Sequence, residues 1–198
     1  MTNLTRRHVM AGLVTLPVLT GGAAQALTDA EAMALVQRMA DDITTTINSG
    51  KADAAMFRDF ERLLERYADM NIIARSSLGP AARSVNGRDF NRYQAAFQTY
   101  VSKKYGARFR EFIGGELEVR RAREVGRATV VDTRARLRGQ SPIAVEFHVS
   151  DRSGSAKVFN VVIEGINLLT TERTEITTLL DQQGGSISAL TEELKRRS

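Results

Sequence analysis

The chain has 198 residues, a formal charge of +5, and neither cysteine nor tryptophan. That length suits one domain with a sizeable core, and the missing thiols exclude disulfides and thiol catalysis. The charge reflects a mild excess of arginine, which is weak support for binding nucleic acid, and no such partner is expected.

Residues 1–26 read as an export signal. Arg6-Arg7 is followed by the mostly apolar run Val9 to Leu19 and by Ala24-Gln25-Ala26, a small-x-small cleavage site. The apolar run is too short to span a membrane. Thr5 to Met10 also resembles a twin-arginine signal, so the Sec and Tat routes both stand open. Cleavage would leave 198 − 26 = 172 residues, with a formal charge of 26 − 23 = +3. A periplasmic single domain over 27–198 is therefore expected. No later apolar run reaches the roughly 18 residues of a membrane span, so the mature chain is expected to be soluble.

Thr28-Asp-Ala-Glu31 is a capping box, in which hydroxyl and carboxylate each satisfy a free helix N–H. Leu35, Met39, Ile43 and Ile47 then recur every four residues, predicting a helix that ends near Asn48-Ser49-Gly50. A second helix is predicted from about Ala52 to Tyr67, and a third element from Asp69 to Leu78, stopped by Gly79-Pro80. The longest helical pattern runs from Asn86 to about Ile113, loosening at Gly106. Its stripe of Phe90, Tyr93, Phe97, Tyr100, Val101, Lys104, Tyr105, Phe109 and Phe112 keeps 3–4 spacing, and its extent leaves room for a cavity wall.

After Gly114-Gly115 the period becomes alternating. Strands are predicted at 116–125, 128–138, 143–150 and 157–166, joined by short turns that give an antiparallel meander. Side chains alternate faces along a strand. Ile143, Val145, Phe147 and Val149 therefore share one face of the third strand, and Phe159, Val161 and Ile163 one face of the fourth. Two short helices close the chain, with Gly184-Gly185 between them. The expected class is α+β: N-terminal helices and one long amphipathic helix packed on a four-stranded antiparallel sheet, with two short C-terminal helices.

Little in the sequence carries chemistry. His148 is the one histidine after residue 26; it falls on the polar strand face and reads as a solvated residue. No metal-ligand spacing occurs, and the Gly-Gly pairs lack the Lys-Ser/Thr of a phosphate loop. No metal, cofactor or catalytic residue is expected. Glu111, Glu116, Glu118, Asp132 and Glu146 could meet in a cavity as a carboxylate site, but read more simply as solvated. Arg120, Arg121, Arg123, Arg134, Arg136 and Arg138 read as a solvated sheet face or, less simply, a docking surface for anionic groups.

The run Lys157-Val-Phe-Asn-Val-Val-Ile-Glu-Gly-Ile-Asn-Leu-Leu169, followed by Arg173-Thr-Glu175, resembles the C-terminal signature of MlaC-type periplasmic phospholipid-binding proteins, the toluene-tolerance family. Asp69 to Gly79 is similar to that family's D-x-x-x-I-A-R-x-x-L-G block. Tyr105-x-x-x-Phe109-x-x-Phe112 matches its aromatic helix in kind. The likeness covers about residues 29–197, with Ala82 and Ala156 standing where the family has tryptophan. It implies a non-enzymatic phospholipid carrier, an auxiliary component of an ABC transporter that maintains outer-membrane lipid asymmetry. The implied partners are phospholipid, the inner-membrane ABC transporter complex with its substrate-binding subunit, and an outer-membrane lipoprotein complex. The carrier is expected to be monomeric and to hold lipid tails in an apolar cavity.

Strand parity and helix spacing put that cavity between the apolar sheet face and the long aromatic helix. The candidate lining is Val131, Val145, Phe147, Val149, Phe159, Val161 and Ile163, faced by Ile73, Leu78, Phe97, Tyr100 and Val101. Two other classes fit the same sequence: an NTF2-like small-molecule enzyme using a buried carboxylate, and a periplasmic adaptor that binds only protein. Glu164, with no histidine, thiol or metal cluster beside it, reads as a structural residue where the last strand turns.

Overall fold

Thr28 opens the first helix as its spacing predicts: its hydroxyl accepts from the Glu31 N–H at 3.2 Å, and the Glu31 carboxylate accepts from the Thr28 N–H at 2.9 Å. That helix, α1, spans Asp29–Ile47 and is followed by α2, Asp53–Tyr67. Asp69 caps the third, α3, Met70–Ser77, accepting from the Ile72 N–H at 3.0 Å. Pro80 then allows only a short 3-10 turn, Gly79–Arg83, before α4, Gly87–Gly106. A computed structural model of the chain describes residues 27–106 and 113–198. The predicted export signal lies outside the described residues, as do Phe109, Glu111 and Phe112.

The sheet consists of β1 (Glu116–Val125), β2 (Ala128–Arg136), β3 (Ile143–Ser150), β4 (Lys157–Ile163) and β5 (Ile166–Asn167). These strands are antiparallel neighbours in sequence order. The expected fourth strand to 166 is corrected here, because the chain turns back at Glu164-Gly165. Both residues have positive φ, 48° and 80°, which makes the connection a primed two-residue turn. It pairs Ile163 with Ile166 and creates the fifth strand. Glu164 holds the turn in place, with its N–H donating to the Ala144 carbonyl at 3.0 Å and its carboxylate accepting from the Ala144 N–H. Helices α5 (Leu168–Gln182) and α6 (Ile187–Arg197) follow.

Two irregularities shape the sheet. Register slips between Val119 and Arg121 in β1, and again where His148 faces Asn160 but Val149 faces Val158. The second slip leaves Phe159 without an opposite residue. Phe159 therefore departs from the strict alternation with Val161 and Ile163 that its sequence suggested, as an extra residue in a bulge does.

Buried side chains form two cores. In one, the inner sheet face packs under α1 and α2, with Val131, Val145, Phe147 and Val149 against Leu35, Val36, Met39, Phe60 and Leu63. In the other, the aromatic stripe of α4 packs against α3, α5 and α6, with Phe90, Tyr93 and Phe97 against Leu78, Ile176, Leu190 and Leu194. The long aromatic helix thus faces other helices rather than the sheet, a correction to the expected layering. Its end sits tightly on α2: a Cβ on Gly106 would lie 2.8 Å from the Phe57 ring. Among the described residues no helix is long and apolar enough to cross a membrane.

Candidate functional site

Along the seam between the two cores runs a half-enclosed cavity of about 320 Å³, inside the range of about 300–1,000 Å³ common for ligand pockets. Its floor is the inner sheet face. Cross-strand pairs Leu117–Ala135, Val145–Ile163 and Phe147–Val161 bring these side chains together in rows. Its helical wall comes mainly from α1 and α2, through Met39, Ile43 and Ile47 at four-residue spacing and Phe60, Leu63, Leu64 and Tyr67. Met70 and Ile73 of α3, Val101 and Tyr105 at the end of α4, and Leu168 and Leu169 at the start of α5 complete it. The lining is almost wholly apolar.

Of the residues singled out from sequence, Val145, Phe147, Phe159, Val161, Ile163, Ile73 and Val101 line this cavity. Val131 and Val149 lie elsewhere, fully buried in the core that includes Ala32, Leu35 and Val36 of α1. Leu78, Phe97 and Tyr100 belong to the second core, where Phe97 stacks on Tyr93 with ring centres 5.7 Å apart. The cause is the one already noted: α4 turns its stripe toward α3, α5 and α6. The helical wall comes instead mainly from α1 and α2, whose apolar stripes are visible in the sequence although their partner is not.

One end of the wall is polar. Lys104 donates to the Glu172 carboxylate at 2.7 Å and to Glu175 at 2.5 Å, while Tyr105 donates to Glu172 and Tyr100 to Glu175. Glu172 is 3% exposed and lines the cavity. Burial works against the Lys104 ammonium, but its hydrogen bonds to both carboxylates outweigh this and hold it above the usual lysine range. Burial likewise opposes the Glu175 carboxylate, and the Lys104 and Tyr100 hydrogen bonds reverse the balance and hold it below the usual range. The Tyr100 and Tyr105 hydroxyls are pushed well above the ordinary tyrosine range by burial first and by donating to carboxylates second. Sequence reasoning missed Glu172. Its signal was a charge on the buried stripe Glu172, Ile176, Leu179, Leu180 of α5.

Glu111 lies outside the described residues, and the other carboxylates singled out from sequence do not gather at the cavity. Glu118 pairs with Arg136 at 2.9 Å and Arg120 at 3.2 Å, Asp132 with Arg121 at 2.6 Å, and Glu146 with Arg123 at 3.0 Å, all on the outer sheet face. Among the described members of that group, Glu116 alone touches the cavity. These pairs also take up Arg120, Arg121, Arg123 and Arg136. His148 lies on this face but is half-buried rather than solvated, edge-on to Phe159 at 6.0 Å. Burial lowers its pKa despite Glu146 at 3.6 Å, a separation too long for a hydrogen bond. Among the described residues no group of His, Cys, Asp or Glu could hold a metal ion.

A solved structure shares this architecture: a phospholipid-binding protein from Ralstonia solanacearum in complex with a phospholipid, at TM-score 0.71 and 18% identity. The superposition covers 84% of this chain and 96% of that one, so the likeness is one of whole folds. The MlaC protein family matches residues 37–196, which include every wall of the cavity and all of both cores except the first turns of α1. The chain belongs to the MlaC protein family.

Proposed function

We propose that the protein is a periplasmic phospholipid carrier that holds acyl tails in the seam cavity and performs no chemistry on them. The observation that carries this reading is the apolar, half-enclosed cavity between the two cores, in a chain of the MlaC family whose fold recurs in a protein solved with a phospholipid. Two tails of about 15 methylenes, at about 0.8 kcal/mol each, oppose free passage through water by roughly 24 kcal/mol. A carrier must therefore shield tails and has no need of catalytic groups. Residues 1–26 would direct export and be removed, and the loaded domain would pass lipid between an outer-membrane lipoprotein complex and an inner-membrane ABC transporter with its substrate-binding subunit.

Native mass spectrometry of protein purified from a bacterial periplasm tests this. A bound mass in the diacyl phospholipid range supports the carrier. A small bound metabolite would favour an enzyme of the cone-shaped α+β kind, and a protein that stays empty after incubation with phospholipid vesicles would favour an adaptor. The same spectra report whether the chain begins at Leu27.

A further inference from the structure

The buried Glu172 is poorly explained by tail binding alone. A channel for methylenes has no use for a carboxylate, yet Glu172 lines the cavity on the face of α5 that otherwise carries Ile176 and Leu179. Its Oε1 is fully engaged by Lys104 and Tyr105. Its Oε2 is buried and has no hydrogen-bond partner among the described residues. A buried carboxylate oxygen without a donor is costly, and folded proteins keep few of them. Lys104 is shared between Glu172 and Glu175, and Arg197 adds to the positive field at Glu175. Glu175 meets solvent on its other side, with its side chain 34% exposed, whereas that of Glu172 is 4% exposed. The polar cluster thus runs through the wall, and at its buried end Glu172 Oε2 is an acceptor without a donor among the described residues.

We propose that Glu172 Oε2 is an acceptor subsite for a hydrogen-bond donor on the cargo, so that the cavity prefers an amphiphile with an N–H or O–H donor near its tails over one without. This rests on the carrier reading and refines its substrate class. Lys104 and Tyr105 act as positioning residues: by holding Oε1 they fix the rotamer and leave Oε2 to the ligand. The donor has two sources, an amino head group drawn into the mouth or a hydroxyl carried on an acyl chain.

The test uses delipidated full-length chain and two matched pairs of probes. Dioleoyl phosphatidylethanolamine against dioleoyl phosphatidylcholine removes the N–H donors and keeps the tails; 12-hydroxystearate against stearate adds one hydroxyl. The wild type is expected to bind the donor-bearing member of one pair about tenfold more tightly, as a hydrogen bond to a carboxylate implies. The pair that shows the preference identifies its source. In Glu172→Met that ratio should fall toward one, and in Glu172→Gln, which keeps the side-chain shape, it should fall at least partway, whatever happens to absolute affinity. Equal binding within both pairs by the wild type would overturn the subsite while leaving the carrier intact. A ratio unchanged in both variants would overturn it too. Failure to bind any of the probes would remove the carrier reading itself, and the subsite with it.

Discussion

Val161 offers the sharpest test of the cavity. It is half-buried on β4, opposite Phe147, with its side chain on the cavity floor. In the empty protein a glutamate at this position can reach solvent through the open side of the cavity, so Val161→Glu should fold. Once tails fill the cavity, the carboxyl is walled in by methylenes and must be neutral. Starting from an ordinary pKa of about 4.3, protonation at pH 7 costs about 1.36 × 2.7, or about 3.7 kcal/mol, an affinity loss of about 500-fold. At pH 5 the same step costs about 1 kcal/mol, so the loss shrinks to about fivefold. The sign follows from linkage: the carboxyl pKa is raised in the loaded state, so loading strengthens as pH falls. Binding of a fluorescent phospholipid to wild type and variant at both pH values, with a thermal melt of each to confirm folding, measures the effect. A loss of equal size at pH 5 and pH 7, or no loss in a folded variant, would refute the placement of Val161 against the tails.

Other outcomes follow from the polar end of the wall and from the turn. Lys104→Met leaves Glu172 and Glu175 without their shared cation and should cost about 3 kcal/mol in urea unfolding, the lower end for a broken buried pair because Lys104 is 28% exposed. Glu175, held below the usual carboxylate range, contributes stability that is present above the ordinary unfolded glutamate pKa and is lost as pH falls through its lower folded value; urea midpoints at pH 7 and pH 3 should therefore differ less in Lys104→Met than in wild type. All four tyrosines, Tyr67, Tyr93, Tyr100 and Tyr105, are raised chiefly by burial, so tyrosinate absorbance should lag behind that of free tyrosine near pH 10 and then rise together with alkaline unfolding, whereas an early, independent rise would contradict the burial. Glu164→Ala keeps the strained turn but frees the Ala144 N–H and should cost about 1 kcal/mol, read as a lower melting temperature.

What could be read from the residues was what depends on neighbours in sequence. The Thr28 cap, the stripes of α1 and α4, and the shared face of Val145, Phe147, Val161 and Ile163 are all local patterns, and the structure has them. What could not be read depends on pairing across the chain. The slip that leaves Phe159 unpaired is a property of two strands together, since Val149 chooses Val158 instead. The partner of the α4 stripe had to be chosen between a sheet and other helices, and periodicity says nothing about which. Glu172 meets Lys104 across 68 residues, so its role is invisible until both helices are in place. The missing tryptophans at Ala82 and Ala156 leave no gap at the surface of either core, because Ala82 packs against the helical core and Ala156 against the sheet core.

On the proposed function, the seam between the cores would also make the lipid a structural element. In a sealed core, each cubic ångström of void costs about 24 cal/mol, so an unfilled 320 Å³ corresponds to at most about 320 × 0.024, or about 8 kcal/mol. That is comparable to the whole stability of an ordinary domain, about 5–15 kcal/mol, and this chain has no disulfide to supplement it. An open side that admits water lowers the figure but not its sign. In the proposed carrier, acyl tails would complete a hydrophobic interior that the polypeptide leaves unfinished, and unloading would be in part a step toward unfolding. A receptor that took lipid from such a carrier would have to offset a loss of order in the donor as well as bind the cargo.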